Sequence, residues 1–279
     1  MKVIKENLQI TIVMTIINLF VLFNFIINGK MLHGIGYFIF FYVSIYCIYF
    51  FTKKNPPKNE IEVKNPKKEL KISVLFTLLG ILCITLNFYV KSLYPNLGFL
   101  VKIPILLSVL LFTYPLGIVF YLLIKKYKLI QFGLRINPII NLILGIFICG
   151  LTGLFAYIFN LNGILWQKGL EEYGGFFGIL LQSVIGAALV EELSRFFIQS
   201  RFEKVFKLSG FHILFATTIW AFMHFPVSYY KDKEIYETLI YFIQIIPIGF
   251  VWGYLTHRTK SILPSVIVHG FNLWGFQNG

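Results

Sequence analysis

Nine long apolar runs dominate this chain, and no other feature constrains its fold as strongly. They cover residues 10–28, 34–52, 72–90, 103–124, 139–160, 176–199, 211–227, 238–255 and 261–275. A helix needs about 20 mostly apolar residues to cross the hydrocarbon core of a bilayer. Membrane-spanning strands would instead alternate polar and apolar residues over about ten positions. Composition agrees: 13% of the 279 residues are charged and 57% are apolar, against about 25% and 45–50% in soluble domains. There is too little polar surface to cover a water-soluble globule, which excludes a cytosolic enzyme, a disordered chain and a secreted disulfide scaffold. The predicted fold class is all-α, a polytopic transmembrane helical bundle of about eight or nine spans. The last run is short enough to be re-entrant.

The net charge is +13. In a soluble protein that balance would point to nucleic acid. Here the basic residues gather between apolar runs, so they read as anchors at the surface of the lipid bilayer, and no nucleic-acid partner is expected. Over alternate connections, eighteen basic residues fall on one side and six on the other, with Arg195 inside a run. The richer side is the cytoplasmic one, which gives a multi-pass cell-membrane protein with a cytoplasmic N-terminus. Lys2 and Lys5 precede the first run as in a signal peptide, but no small-x-small pattern follows it, so the run reads as a retained span. Cys47, Cys83 and Cys149 lie in apolar runs without paired spacing and read as small lipid- or core-facing residues.

The Lys- and Pro-rich stretch 53–71 cannot bury a core and reads as a solvated linker or an anionic-lipid contact. It separates residues 1–71, a two-span hairpin plus linker, from middle spans at 72–175 and a C-terminal bundle at 176–279. The segment KKYKLIQFGLRINP at 125–138 is amphipathic and is predicted to lie on the cytoplasmic surface.

A charge at mid-membrane costs about 2.5–3.5 kcal/mol on insertion scales. The first five runs hold no Asp, Glu, His or Arg, whereas the last four hold Glu191, Glu192, Arg195, His212, His224 and His269, joined by Asn272. That concentration argues for one polar site in the C-terminal bundle. Arg195 is i+4 from Glu191 and i+3 from Glu192, so one carboxylate can pair with it and the other stays available as a general base. A salt bridge that merely orients helices would explain one glutamate, not two. His224 precedes Pro226 near the end of its run; a helical His standing alone is more often a satisfied hydrogen-bonding residue. His269 and Asn272 share a helix face and could hold a water or a metal, or donate to an oxyanion. Two histidines and a carboxylate are a known catalytic zinc set. His33, His212 and His257 read as surface residues.

Depth can be counted at about 1.5 Å per residue. On that count Glu191 lies about 12 Å from the cytoplasmic end of its run, His269 about 12 Å into its own, and His224 about 20 Å from residue 211. The mismatch shrinks if 202–214 lies along the cytoplasmic surface and the seventh span starts near Phe215. The site is then expected nearer the cytoplasmic face.

Glu191-Glu192 followed by Arg195, Trp220-xxx-His224, and His269 with Asn272 after it, in consecutive late spans, resembles the CPBP family of CAAX proteases and bacteriocin-processing enzymes, also called Abi. The family pattern is EExxxR, FxxxH and HxxxN/D, and the resemblance covers roughly 176–275. Here the first motif is one residue shorter, Trp220 stands in place of Phe, and Asn272 follows His269 at +3. Aligned on the glutamate pair, Glu191 is the catalytic glutamate; aligned on Arg195, Val190 takes that place and Glu191 becomes the arginine partner.

The resemblance implies an intramembrane endopeptidase acting on peptide or membrane-protein substrates, prenylated ones among the candidates. Glu191 would activate the attacking water, Glu192 would pair with Arg195, and His224 and His269, helped by Asn272, would polarise the carbonyl or bind a divalent metal such as zinc together with Glu191. Glutamate-activated water without metal is equally permitted by the residue types. The alternatives are a non-catalytic family member with a regulatory or bacteriocin-immunity role, and a transporter using the polar group as a proton relay. No inverted repeat supports the transporter.

Overall fold

Backbone groups inside hydrocarbon have no water to bond, so each apolar run closes its hydrogen bonds internally as helix. The computed structural model describes residues 8–53, 61–94, 115–134, 138–159, 174–206, 210–232 and 234–272, and among these every regular element is helical. α1 (Leu8–Ile27) and α2 (Met31–Thr52) form a hairpin, followed by α3 (Pro66–Leu93), α4 (Pro115–Ile124) and α5 (Pro138–Ile158). α6 spans Phe176–Phe206. α7 (Phe211–Met223), α8 (Phe225–Asp232), α9 (Ile235–Thr259) and α10 (Leu263–Asn272) complete the chain. Six stretches are long and apolar enough to cross a membrane: α1, α2, α3, α6, α7 with α8 over Phe211–Tyr230, and α9. Each predicted run meets a helix, but residues 103–114 and 273–275 lie outside the described residues and the apolar stretch of α5 counts only over Asn141–Phe155, so the expected eight or nine spans are only roughly matched. Ile16 and Phe23 on α1 and Leu78, Leu82 and Leu86 on α3 remain exposed, the surface a bilayer would cover.

α9 is the centre of the bundle, packed against α1, α2, α6, α7, α8 and α10. Two glycines permit this. A Cβ on Gly249 would stand 2.7 Å from the Trp220 ring, and one on Gly253 would stand 2.7 Å from Ile213. The N-terminal hairpin joins the same core: Met14, Phe41 and Ile48 cluster with Trp252 and Leu255. Tyr37 donates to the Gln244 carbonyl at 2.6 Å, and Arg258 donates to Thr52 at 2.9 Å.

Two boundaries differ from the sequence reading. α3 begins at Pro66, six residues before the predicted run, because Asn65 caps it by accepting from the Lys68 N–H and Pro66 suits a first helical position. Glu69, expected in the linker, is buried there against Arg201, at 3.0 Å, and Tyr127, whose hydroxyl donates at 2.5 Å. Secondly, α6 continues to Phe206 and α7 starts at Phe211, so 202–206 is not a surface segment. Arg201, expected in a cytoplasmic connection, is fully buried, with its guanidinium 3.9 Å from the Phe197 ring. The amphipathic segment at 125–138 forms a 3-10 turn over Leu129–Phe132 that buries Tyr127 and Phe132.

Candidate active site

Glu191 and Glu192 sit at the middle of α6, Glu191 fifteen residues from each end of Phe176–Phe206. A π-helical stretch over Leu180–Leu189 leads directly into them. Such widened turns recur at functional sites because they re-aim the side chains that follow. Glu191 is thus about 22 Å from the Phe206 end rather than about 12 Å. His224, about 20 Å from the start of α7, lies at matching depth. The two meet because α6 is longer than its apolar run, not because α7 starts late.

The two glutamates diverge. Glu192 turns inward, its side chain fully buried, and one oxygen receives the Arg195 guanidinium. Its other oxygen lies 3.0 Å from Nδ1 of His269. Arg195 donates as well to the Gly249 carbonyl on α9. Four residues along, Gln199 repeats the contact by donating to the Gly253 carbonyl at 3.0 Å. Arg195 and Gln199 therefore tie one face of α6 to α9.

Glu191 turns the other way, toward α7 and α10. Its Oε2 accepts from the Trp220 indole N–H at 2.6 Å and lies 3.6 Å from Nε2 of both His224 and His269. The tautomers follow from the partners. His224 Nδ1 faces the Trp220 carbonyl at 3.0 Å, which can only accept, so Nδ1 carries a proton. His269 Nδ1 faces the Glu192 carboxylate and carries one too. Each ring then presents Nε2 to Glu191, and a backbone carbonyl or a carboxylate behind the ring fixes its orientation. Glu191 and His224 are 23% and 27% exposed while His269 is 1% exposed, so the site has a buried floor and an open mouth.

Local sequence explains the placement. Pro226 lacks the N–H that would continue the helix, so α7 stops at Met223 and His224 stands at the break before α8. Ser265 on α10 donates to the Trp252 carbonyl at 2.9 Å, which holds α10 against α9. Trp252 then stacks on His269 with centroids 3.8 Å apart. Gly270 admits α6, since a Cβ there would stand 2.7 Å from Val184.

Of the site residues read from the sequence, Glu191, Glu192, Arg195, His224 and His269 come together in one network. Asn272 closes α10, and its side chain lies outside the described residues. The sequence reading missed two partners. Trp220 was visible as a departure from Phe, and its indole N–H is the signal that could have marked it as a donor. Trp252 carried no such signal. The three histidines read as surface residues are placed differently: His33 and His212 are buried and His257 is half-buried. His212 and His257 face each other at 3.1 Å beside Glu203, because the α6, α7 and α9 ends converge there.

With that geometry established, residues 173–274 match the family model described as type II CAAX prenyl endopeptidase Rce1-like. Over this stretch the chain is similar to that family. The match is consistent with the CPBP family and covers α6 through α10, the helices that build the network. Comparison with curated proteins and with solved structures finds no match. An Rce1-like region on a bundle of apolar helices is that of a multi-pass membrane protein.

Proposed function

We propose that the protein is an intramembrane endopeptidase that hydrolyses peptide bonds of peptides or membrane-protein termini, prenylated termini included, with Glu191 as general base. One observation carries this reading: Nε2 of His224, Nε2 of His269 and the Trp220 N–H all converge on a single oxygen of Glu191. A gap of 3.6 Å is too long for a direct hydrogen bond and short enough for one water to touch both groups. Glu191 takes a proton from that water as it attacks the scissile carbonyl, then returns the proton to the leaving amine. Glu192, bound to Arg195 and His269, holds the floor rigid and keeps His269 in one tautomer. Either Nε2, when protonated, donates to the oxyanion, a role the amide of Asn272 would share.

A divalent metal is a separate question. The donor chemistry suits zinc, since both histidines offer Nε2 with Nδ1 held from behind. Ligand atoms on one tetrahedral zinc sit about 3.4 Å apart, and Glu191 lies near that distance, 3.6 Å, from each imidazole; the three ligands taken together are spread wider. Among the described residues the three-ligand set lying within 4.8 Å of one another is Glu203, His212 and His257, not Glu191, His224 and His269. The hydrolytic step is therefore derived with water alone. The basic connections would orient the N-terminus to the cytoplasm; Glu191, midway along α6, then lies near the middle of the membrane rather than nearer the cytoplasmic face as expected from the sequence.

The test is cleavage of a quenched peptide library, prenylated peptides included, by wild type, Glu191→Gln and His224→Gln in detergent, with and without chelator. Cleavage lost in both variants and insensitive to chelator supports the reading. Chelator-sensitive cleavage would restore the metal. A folded wild type that cleaves nothing would put the non-catalytic, regulatory or immunity role first.

A further inference from the structure

A second polar cluster lies near the Phe206 end of α6, away from the Glu191 site. Glu203 is twelve residues beyond Glu191 on α6, about 18 Å along the axis. It meets His212 from the first turn of α7 and His257 from the last turn of α9. His212 Nε2 is 3.1 Å from His257 Nδ1, which is 3.7 Å from Glu203 Oε1, and the three ligand atoms all lie within 4.8 Å of one another. These separations bracket the spacing of about 3.4 Å that a shared tetrahedral ion imposes.

We propose that Glu203, His212 and His257 form a binding site for a divalent transition-metal ion of the zinc class, distinct from the Glu191 site. Two imidazole nitrogens and one carboxylate suit such an ion and are a poor set for magnesium or calcium, which take oxygen ligands. The site is reachable, since Glu203 and His257 are 32% and 27% exposed and open on a small pocket also lined by Gln199, Ser200 and Thr256. Gln199, on the pocket wall, has its Oε1 buried without a hydrogen-bond partner. The place already selects positive charge. The Lys260 ammonium stands 3.5 Å from both Glu203 and His257, at the tip of a side chain whose backbone is left-handed at φ 52°. An ion entering would displace that ammonium and release the proton shared by the two facing rings. Bound, it would staple the ends of the three helices that present Glu191, His224 and the Gly249 carbonyl to the other site.

The experiment uses the full chain in detergent, stripped with chelator, in a Glu191→Gln, His224→Gln background that silences the first site. Zn2+ is titrated by calorimetry, and Co2+ by its visible absorption. One equivalent of Zn2+ is expected, with no response to Mg2+. His257→Gln and Glu203→Gln should each weaken binding by at least ~10-fold, since even second-shell partners are worth 10–100-fold. Lys260→Gln should tighten it, a change a merely structural lysine would not produce. Thermal unfolding confirms that each variant is folded. No bound Zn2+ in the folded background protein, or unchanged affinity in both ligand variants, overturns the proposal.

Discussion

Adjacent glutamates with opposite tasks should give opposite phenotypes. The perturbation is an isosteric pair, Glu192→Gln and Glu191→Gln. Glu192 is fully buried and balances Arg195, itself 1% exposed. An amide there leaves the guanidinium uncompensated and turns a donor toward Arg195 or His269. Removing one partner of a buried pair costs about 3–5 kcal/mol. At roughly 2–4 °C per kcal/mol for a chain of this size, Tm should fall by about 6–20 °C. Glu191 meets the Trp220 N–H and two imidazoles, and a glutamine oxygen can still accept the Trp220 N–H that now lies at 2.6 Å. Its replacement should shift Tm by no more than a few degrees, while removing a general base slows hydrolysis by about 10²–10⁴. Thermal unfolding followed by tryptophan fluorescence gives the first quantity, and turnover of a quenched peptide gives the second. A Glu192→Gln protein as stable as wild type, or a Glu191→Gln protein with full turnover, would refute the division of labour.

Glu69→Gln should destabilise by about 3–5 kcal/mol, because its carboxylate is the buried partner of Arg201; a denaturation midpoint within error of wild type would reject this. Tyr127 has its pKa raised to about 12 by burial and by its hydrogen bond to Glu69. A raised folded-state value means this contribution is fully present below about pH 10, the unfolded value. It is lost as pH rises toward 12, so the alkaline decline should be steeper in wild type than in Tyr127→Phe. Gly249→Ala would place a methyl 2.7 Å from the Trp220 ring. Overpacking of that kind costs about 1–3 kcal/mol, and cleavage should fall with it as the indole moves off Glu191; an alanine variant with wild-type Tm and turnover counts against the close packing.

The helical class and most of the candidate cluster were legible because hydrophobic length and misplaced charge are local properties of sequence. An apolar run announces a helix, and a glutamate within it announces a cost that something must offset. Boundaries were less legible where a buried ion pair extended a helix past its apolar run. Arg201 looked like a loop cation because its partner Glu69 is 132 residues away in sequence. The same blindness hid His212 and His257. Each looks like a surface histidine alone, and only the convergence of α6, α7 and α9 brings them together. Trp220 sits between these cases, since its indole N–H was visible and its target was not.

The shortened first motif shows why spacing tolerates change where direction does not. On an α-helix, positions i+3 and i+4 both neighbour position i, one on either side of it. Arg195 at +3 can therefore reach Glu192 as well as an arginine at +4 would, and it does so in the i,i+3 geometry. What the pairing must preserve is the angle of about 100° between consecutive side chains. That angle lets Glu192 face the buried floor while Glu191 faces the mouth. Aligning on the arginine would have placed Val190 at the base position. The contacts of Glu191 with Trp220, His224 and His269 favour aligning on the glutamate pair. The constraint thus falls on the glutamate pair and on the two rings whose Nε2 atoms meet it, and the arginine may slide by one residue provided it still reaches Glu192 and the Gly249 carbonyl.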